Sequence, residues 1–206
     1  ATVNPDFGQV EIDPAVINLS DVETFFSEKR PFFIEGSTIF EFGYGGANNY
    51  WGFNWSNPTF FYSRRIGRVP QGSIPEADYV DIPSGTDILG AGKLTGKIGG
   101  NWNIGTIQAL TSRENSDILF NGVQSELEVE PLTYYGVFRA QNEIDEGRHA
   151  IGFMSTVTSR SFKDGRLKDE INSGAYTGGI DGWTFLDSSK TWVMTGWMGM
   201  SHVTGN

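Results

Sequence analysis

Acidic and basic residues are concentrated near the start of the chain, in two groups that could take part in chemistry. The first group is Glu23, Glu28, Lys29, Arg30 and Glu35, and the second is Arg64, Arg65 and Arg68. Both groups stand among many phenylalanines, so we expect a dry region, where charges are costly unless they are paired. We favour an ion-pair network that fastens this segment to the fold. A polar constriction or a sugar site is the alternative.

A sugar site would also need aromatic rings that can stack on a pyranose face. Trp51, Trp55 and Tyr62 follow the first charged group and are the candidates for stacking. A glycosidase would require in addition two carboxylates about 5–10 Å apart. Because the chain has 25 acidic residues, it offers many such pairs, and the sequence assigns no catalytic residue.

The sequence predicts no metal site and no cofactor. His149 and His202 are the only histidines, neither has a second histidine four residues on, and there is no cysteine. The glycine-rich run at 90–97 departs from a phosphate-binding loop, since Ala91 replaces its first glycine and Ile98 its hydroxyl residue. The net charge of −10 argues against a nucleic-acid partner.

The first third of the chain has no steady hydrophobic period. Residues 20–23 form a capping box, which predicts a short helix from Asp21 to about Glu28, and Pro31 is expected to stop it. Dense aromatic residues with glycine and asparagine follow, from Phe32 to Tyr62. This composition indicates an ordered, irregular and buried segment such as a barrel plug or entrance.

From residue 88 onward, strand-like runs alternate with glycine-rich turns and polar loops. The predicted strands are Ile88–Ile98, Trp102–Ser112, Gln124–Asn142, His149–Ser159, Ala175–Phe185 and Thr191–Val203. No apolar run reaches the roughly 18 residues of a transmembrane helix, but a transmembrane strand needs only about 10. Glycine (27 residues) and aromatic residues (14%) are both abundant, which favours curved sheets and membrane interfaces.

Alternate residues of these strands separate into a polar face and an apolar face. The polar faces carry Lys93, Arg139, Gln141 and Asp181, and the apolar faces carry Tyr134, Phe138, Tyr176 and Ile180. We expect the first set to face a lumen and the second to face lipid. The pattern predicts an all-β fold, namely part of an antiparallel up-and-down outer-membrane β-barrel with an irregular N-terminal segment.

Five motifs in a fixed order resemble one known family. They are NPDFGQVE at 4–11, ETFFSEKRPFFIEG at 23–36, FYSRRIGR at 61–68, ILGAGKLTGK at 88–97 and VEPLT at 129–133. The chain is similar to Gram-negative envelope proteins of unknown function. These proteins couple an N-terminal family-nine-type carbohydrate-binding module to a large C-terminal domain that looks like an outer-membrane barrel.

The resemblance implies that this chain is the start of that C-terminal domain and that both of its ends are cut. Residues 1–85 are expected to pack in or against the barrel, and residues 86–206 to form its first strands. The implied location is the outer membrane of a Gram-negative bacterium, with lipid as partner and polysaccharide or other envelope proteins as further candidates. Three functions stay open: a conduit, export partner or anchor; a surface protein that binds or hydrolyses carbohydrate; and a structural subunit of an envelope complex.

Overall fold

The computed structural model describes residues 2–3, 25–43 and 58–205, and within them the protein is an all-β fold of two antiparallel sheets. The strands are β1 (Thr2–Val3), β2 (Tyr79–Asp81), β3 (Ile88–Ile98), β4 (Trp102–Thr111), β5 (Glu114–Phe120), β6 (Val123–Glu130), β7 (Leu132–Ile144), β8 (His149–Ser161), β9 (Gly174–Phe185) and β10 (Val193–Thr204). The helices are α1 (Pro31–Ile34) and α2 (Gly165–Glu170), with 3-10 turns at Ser37–Phe40 and Ser63–Arg65.

The larger sheet has seven strands in the order β1-β3-β4-β7-β8-β9-β10, so neighbours in space are mostly neighbours in sequence. Three connections at one end, residues 99–101, 145–148 and 186–192, are short. The connections at the other end are longer, because residues 112–131 and 162–173 carry additional structure. Short turns at one end and long connections at the other are typical of up-and-down β-barrels. The described sheet is open, with β1 and β10 at its edges.

The smaller sheet has the order β2-β5-β6 and is connected to the larger sheet through strands that follow β4 and precede β7. Strands β4 and β5 continue each other, as do β6 and β7, so residues 102–142 form one long hairpin. The hairpin is interrupted where Ser112 and Arg113 face Pro131, because proline has no N–H to donate to a ladder. Its tip is Asn121-Gly122, both with positive φ, which is the preferred chemistry of a two-residue hairpin turn.

The larger sheet has one covered face and one bare face. We call N-terminal layer the residues 25–43 and 58–68, and inner face the side of the sheet on which they pack. The hydrophobic core lies between the two; it contains Phe33, Phe40, Phe42 and Ile66 from the layer and Ile88, Ala91, Ile107, Ala109, Tyr135, Val137 and Met154 from the sheet. This core joins the layer to the strands.

The opposite side, the outer face, is apolar and exposed. Its large side chains include Leu94, Ile98, Trp102, Tyr134, Phe138, Ile151, Phe153, Tyr176, Ile180, Met194, Met198 and Met200. Leu94 is 69% exposed and Met200 80%. On the outer face of β3, β4 and β7 to β10 no Asp, Glu, Lys or Arg occurs. The predicted apolar face is therefore present as the outer face, but the face predicted to be polar carries the hydrophobic core beside its charged residues.

Several local predictions differ from the structure. Residues 25–28 are not helical, and residues 21–24 lie outside the described part of the chain. Pro31 begins α1 instead of ending a helix, because its fixed φ suits the first turn. Residues 114–120, which lie between two predicted strands, form β5, and α2 lies between the predicted strands that end at Ser159 and begin at Ala175. No helix within the described residues is long and apolar enough to span a membrane.

Candidate functional site

The N-terminal layer rests on glycines of the inner face. An alanine Cβ at Gly105 of β4 would lie 2.7 Å from Ile39 and 2.9 Å from the ring of Phe40. At Gly179 of β9 it would lie 2.6 Å from the ring of Phe42. Real Cβ atoms do not approach so closely, so these positions let aromatic rings lie against the backbone of the sheet.

Glycines of the outer face do not contact the layer, and the close neighbours of Gly136, Gly174 and Gly182 belong to the strands themselves. At Gly92, Gly96, Gly178 and Gly196 an added Cβ would meet nothing within 4 Å. Among the glycines of the sheet, those of the inner face are thus the ones against which the N-terminal layer packs. The glycine content, which the sequence suggested was a matter of strand curvature, has on the inner face a packing role that no periodicity reveals.

Arg30 and Glu28 form the best-connected ion pair of the layer. The Arg30 guanidinium donates to both Glu28 carboxylate oxygens at 2.8 and 2.7 Å, and to the carbonyls of Ile66 at 2.6 Å and Ser63 at 2.9 Å. The Ser63 hydroxyl also donates to Glu28, at 2.5 Å. Burial alone would raise the pKa of Glu28, but these hydrogen bonds outweigh it and hold the pKa at about 2. The Glu28 carboxylate is therefore ionised at neutral pH, and both of its oxygens already accept hydrogen bonds from Arg30 and Ser63.

The remaining residues of the two charged groups have separate roles. Arg64 donates to the carbonyl of Ser27 at 2.7 Å and lies over the ring of Phe26. Lys29 and Arg65 are exposed, as is Glu35. Arg68 lies farther along, beside Gln71. Glu23, Trp51 and Trp55 lie outside the described residues. The structure thus joins Glu28 to Arg30 and separates Arg68 from them.

Lys93 of β3 connects the sheet to the end of α1. Its ammonium group donates to the carbonyls of Phe32 at 2.9 Å and Phe33 at 3.3 Å, and also to that of Glu35. These carbonyls have no partner within so short a helix, and a cation at a helix C-terminus is favourable. Lys93 therefore positions the helix on the inner face.

A buried ion pair lies under another part of the layer, away from Lys93, on strands β7 and β9. Arg139 of β7, 2% exposed, donates to both carboxylate oxygens of Asp181 in β9 at 2.6 and 2.8 Å. The two strands are not neighbours, and the pair passes over Gly152 of the intervening β8, where a Cβ would lie 2.6 Å from Arg139. Asp181 also accepts from the backbone N–H of Gly43 at 2.9 Å. The pair thereby holds the layer as well as the strands.

An aromatic groove of about 490 Å³ runs along the layer, with Glu28 and Glu41 among its lining residues. Tyr62 lines it, but its ring contacts Phe25 edge-on and its hydroxyl exchanges hydrogen bonds with the backbone of Phe26. The groove offers aromatic surface. Its one strongly shifted carboxylate, Glu28, is too acidic to serve as a general acid near neutral pH.

Within the described part of the chain, no group of three or more His, Asp or Glu side chains is arranged to hold a metal ion. His149 bonds Thr184 at 2.5 Å and lies near Asp145, at the end of β8. His202 stacks on Tyr176 of the outer face.

Comparison with known proteins gives one finding. Searches among curated proteins and among solved structures returned no match. The family described as "Domain of unknown function (DUF5916)" matches residues 1–206, the whole of the sequence. The chain therefore belongs to the DUF5916 family.

Proposed function

We propose that this domain forms part of the wall of a bacterial outer-membrane β-barrel whose lumen is closed by the N-terminal layer. The observation that carries the proposal is the outer face. Six long strands present large apolar side chains there and no charged residue, whereas Lys93, Lys97, Arg139, Arg160 and Asp181 lie on the inner face. A charged side chain at a lipid-facing position costs about 2–4 kcal/mol at the bilayer midplane. A sheet face in contact with water would carry no such penalty and would have no reason to lack charged residues.

Two further features support a membrane setting. The main strands are 10–13 residues long, which suits the roughly 9–11 residues of a tilted transmembrane strand. On the outer face, Tyr134 and Tyr176 lie toward the end with long connections and Trp102 toward the end with short turns. Phe138 and Ile180 lie between them. Aromatic residues with a polar edge at both ends of an apolar band are typical of outer-membrane barrels.

The N-terminal layer supports one of the functions that a barrel could serve. It fills the inner face with aromatic rings and buried ion pairs, so passage along this wall requires its displacement. We propose a closed barrel that anchors the protein in the envelope and that opens to a polymer or its fragments only when the layer moves. Glu28, the strongly shifted carboxylate of the layer, is committed to Arg30, which weighs against the carbohydrate-hydrolase alternative.

The lipid assignment is tested with single cysteines, since this chain has none of its own. Phe138→Cys, Ile180→Cys and Met198→Cys are labelled with bimane in the full-length protein reconstituted in vesicles. We expect brominated lipid to quench all three labels and to leave Ser188→Cys, in the β9–β10 connection, unquenched. If the outer-face cysteines react with a charged, water-soluble maleimide and escape quenching, the face contacts water or protein and the proposal is wrong.

The closed lumen is tested by conductance in planar bilayers. Phe42→Ala removes a ring that lies on an inner glycine, and Phe138→Ala removes a ring of the outer face as a matched control. We expect few openings in the unmodified protein, frequent openings with Phe42→Ala and none beyond the background with Phe138→Ala. A steadily conducting unmodified protein would contradict closure, and silence of all three would favour an anchor without a conduit.

A further inference from the structure

A second group of arginines lies on the inner side, at the end of the sheet with long connections. Arg68 is the last residue of the N-terminal layer, and Arg160 lies on the inner face of β8. Arg68 contacts Gln71, whose backbone N–H donates to the buried carboxyl group of Glu130 at the end of β6. Arg160 is paired in register with Thr133 of β7, two residues from Tyr135, and the charges of these groups interact. The group therefore joins the layer, both sheets and three strands.

The arginines of this group differ from those of the structural ion pairs. Arg30, Arg113, Arg139 and Arg166 each donate to a carboxylate at 2.5–2.7 Å. Within the described residues, Arg68 donates to the side-chain oxygen of Gln71, and Arg160 donates to the carbonyl of Asn172 at 2.8 Å. Both of these acceptors are neutral.

The nearby carboxyl group does not balance the two arginines. Glu130 is 1% exposed and accepts from the backbone N–H of Gln71 at 3.0 Å. Burial raises the pKa of Glu130 despite Arg68 and Arg160, so its negative charge is poorly stabilised where it lies. Burial likewise lowers the pKa of Arg68. Glu114, opposite Glu130 in the β5–β6 ladder, already accepts from the N–H of Asp87 and the hydroxyl of Ser112, and Arg65 adds a third cation. Three arginines beside two carboxylates leave an excess of positive charge, in a chain whose net charge is −10.

Hydrogen-bond donors without an acceptor also indicate that this group of arginines can bind an anion. The Nε–H groups of Arg68 and Arg160 are buried and have no acceptor within the described part of the chain. The same is true of the Nε–H groups of Arg139 and Arg166, but other nitrogens of those two guanidinium groups already pair with carboxylates. A guanidinium fork matches the oxygens of a carboxylate or phosphate, and unsatisfied buried donors are uncommon in folded proteins. An oxyanion would supply both the missing acceptors and the missing charge.

We propose that Arg68 and Arg160 form a binding site for an oxyanionic group, the carboxylate or phosphate of a ligand that arrives at the long-connection end of the inner face. Tyr135 lies beside the site and its hydroxyl, 3.4 Å from the carbonyl of Arg65, has a weak partner that a ligand can replace. The site does not depend on the membrane proposal, because its residues adjoin one another whatever covers the outer face.

The test is titration calorimetry of the full-length protein in detergent micelles, with inorganic phosphate in one arm and glucuronate in the other. Binding in one arm alone identifies the source of the oxyanion. We expect saturable binding that weakens by about tenfold or more in Arg68→Met and in Arg160→Met, since each removes a charged hydrogen bond. Arg148→Met is the matched control: its Nε–H is also buried and unpartnered, but it lies at the short-turn end of the sheet.

Arg68→Lys is used if the methionine variants are unstable, because lysine keeps the positive charge and so disturbs the fold less. Lysine lacks the guanidinium group that can bind two oxygens at once. Weaker binding in Arg68→Lys, with Arg148→Met unchanged, would support the site. Absence of saturable binding in both arms up to roughly 10 mM would overturn it, as would an equal loss in Arg148→Met. Bimane quenching at Ile180→Cys is unaffected by either outcome, so failure of this site and failure of the barrel proposal are distinguishable.

Discussion

Adjacent glycines of β9 offer a test of how the N-terminal layer is seated, because Gly179 faces the layer and Gly178 faces outward. In Gly179→Ala the new methyl would lie 2.6 Å from the ring of Phe42, 2.7 Å from that of Phe60 and 2.9 Å from the carbonyl of Met198. Ordinary carbon contacts are about 3.5–4.0 Å, so the stacked rings must retreat by roughly 1 Å. Such overpacking costs typically 1–3 kcal/mol.

Gly178→Ala adds the same methyl where nothing lies within 4 Å. It should stabilise the strand by about 0.5–1 kcal/mol, because glycine loses more backbone entropy than alanine on folding. The two variants should therefore change the free energy of unfolding with opposite sign.

The measurement is denaturant unfolding in detergent, followed by tryptophan fluorescence, to which Trp197 contributes with its ring 6.2 Å from that of Phe42. Limited proteolysis within residues 25–43 gives an independent readout: the layer should be cut faster in Gly179→Ala only. If both substitutions change stability alike, or if Gly179→Ala is the more stable, the layer does not rest on β9 as described and the reasoning fails.

Three further predictions concern the polar contacts of the layer. Lys93→Met should cost about 1.5–3 kcal/mol and speed proteolysis of the layer, whereas the exposed Lys97→Met should cost at most about 1 kcal/mol; equal costs would contradict the capping role. Asp181→Asn should cost about 3–5 kcal/mol by leaving Arg139 buried without its counter-charge, and replacing both with apolar residues should recover most of that loss in chemical unfolding. Folding lowers the pKa of Glu28 from 4.5 to about 2, so the contribution of Glu28 to stability is complete above pH 4.5 and is lost as the pH falls toward 2. Arg30→Met should therefore flatten the dependence of the unfolding free energy on pH in this range. An unchanged slope would refute the pairing of Glu28 with Arg30.

The strands were the most predictable part of this protein. Ile88–Ile98 has the predicted bounds, because alternation and flanking glycines fix both its ends. The run predicted as one strand from Gln124 to Asn142 is two, since Pro131 divides it. Strand β5 was missed in part because its polar residues resemble a loop, and it exists through pairing with β6.

The contacts of the candidate site were less accessible from sequence. Arg139 and Asp181 were predicted to share a face, but their pairing depends on the absence of a side chain at Gly152, which lies between them. The link between Arg30 and Glu28 spans two residues of an extended segment and follows from no helical spacing. Such contacts depend on three-dimensional register and on which glycines face inward, and a single sequence specifies neither directly.

The topology implies an order of events during folding. Each of β8, β9 and β10 pairs with the strand just before it, so this part of the sheet can grow by closing short loops, which is fast. The N-terminal layer has no such freedom: its Phe42 lies on Gly179, and Gly43 donates to Asp181, 138 positions away in sequence. Although the layer precedes these strands in the chain, it can dock only after β9 has formed. Its phenylalanines therefore stay exposed through most of folding, and a chaperone that shields them would raise the yield of the native protein.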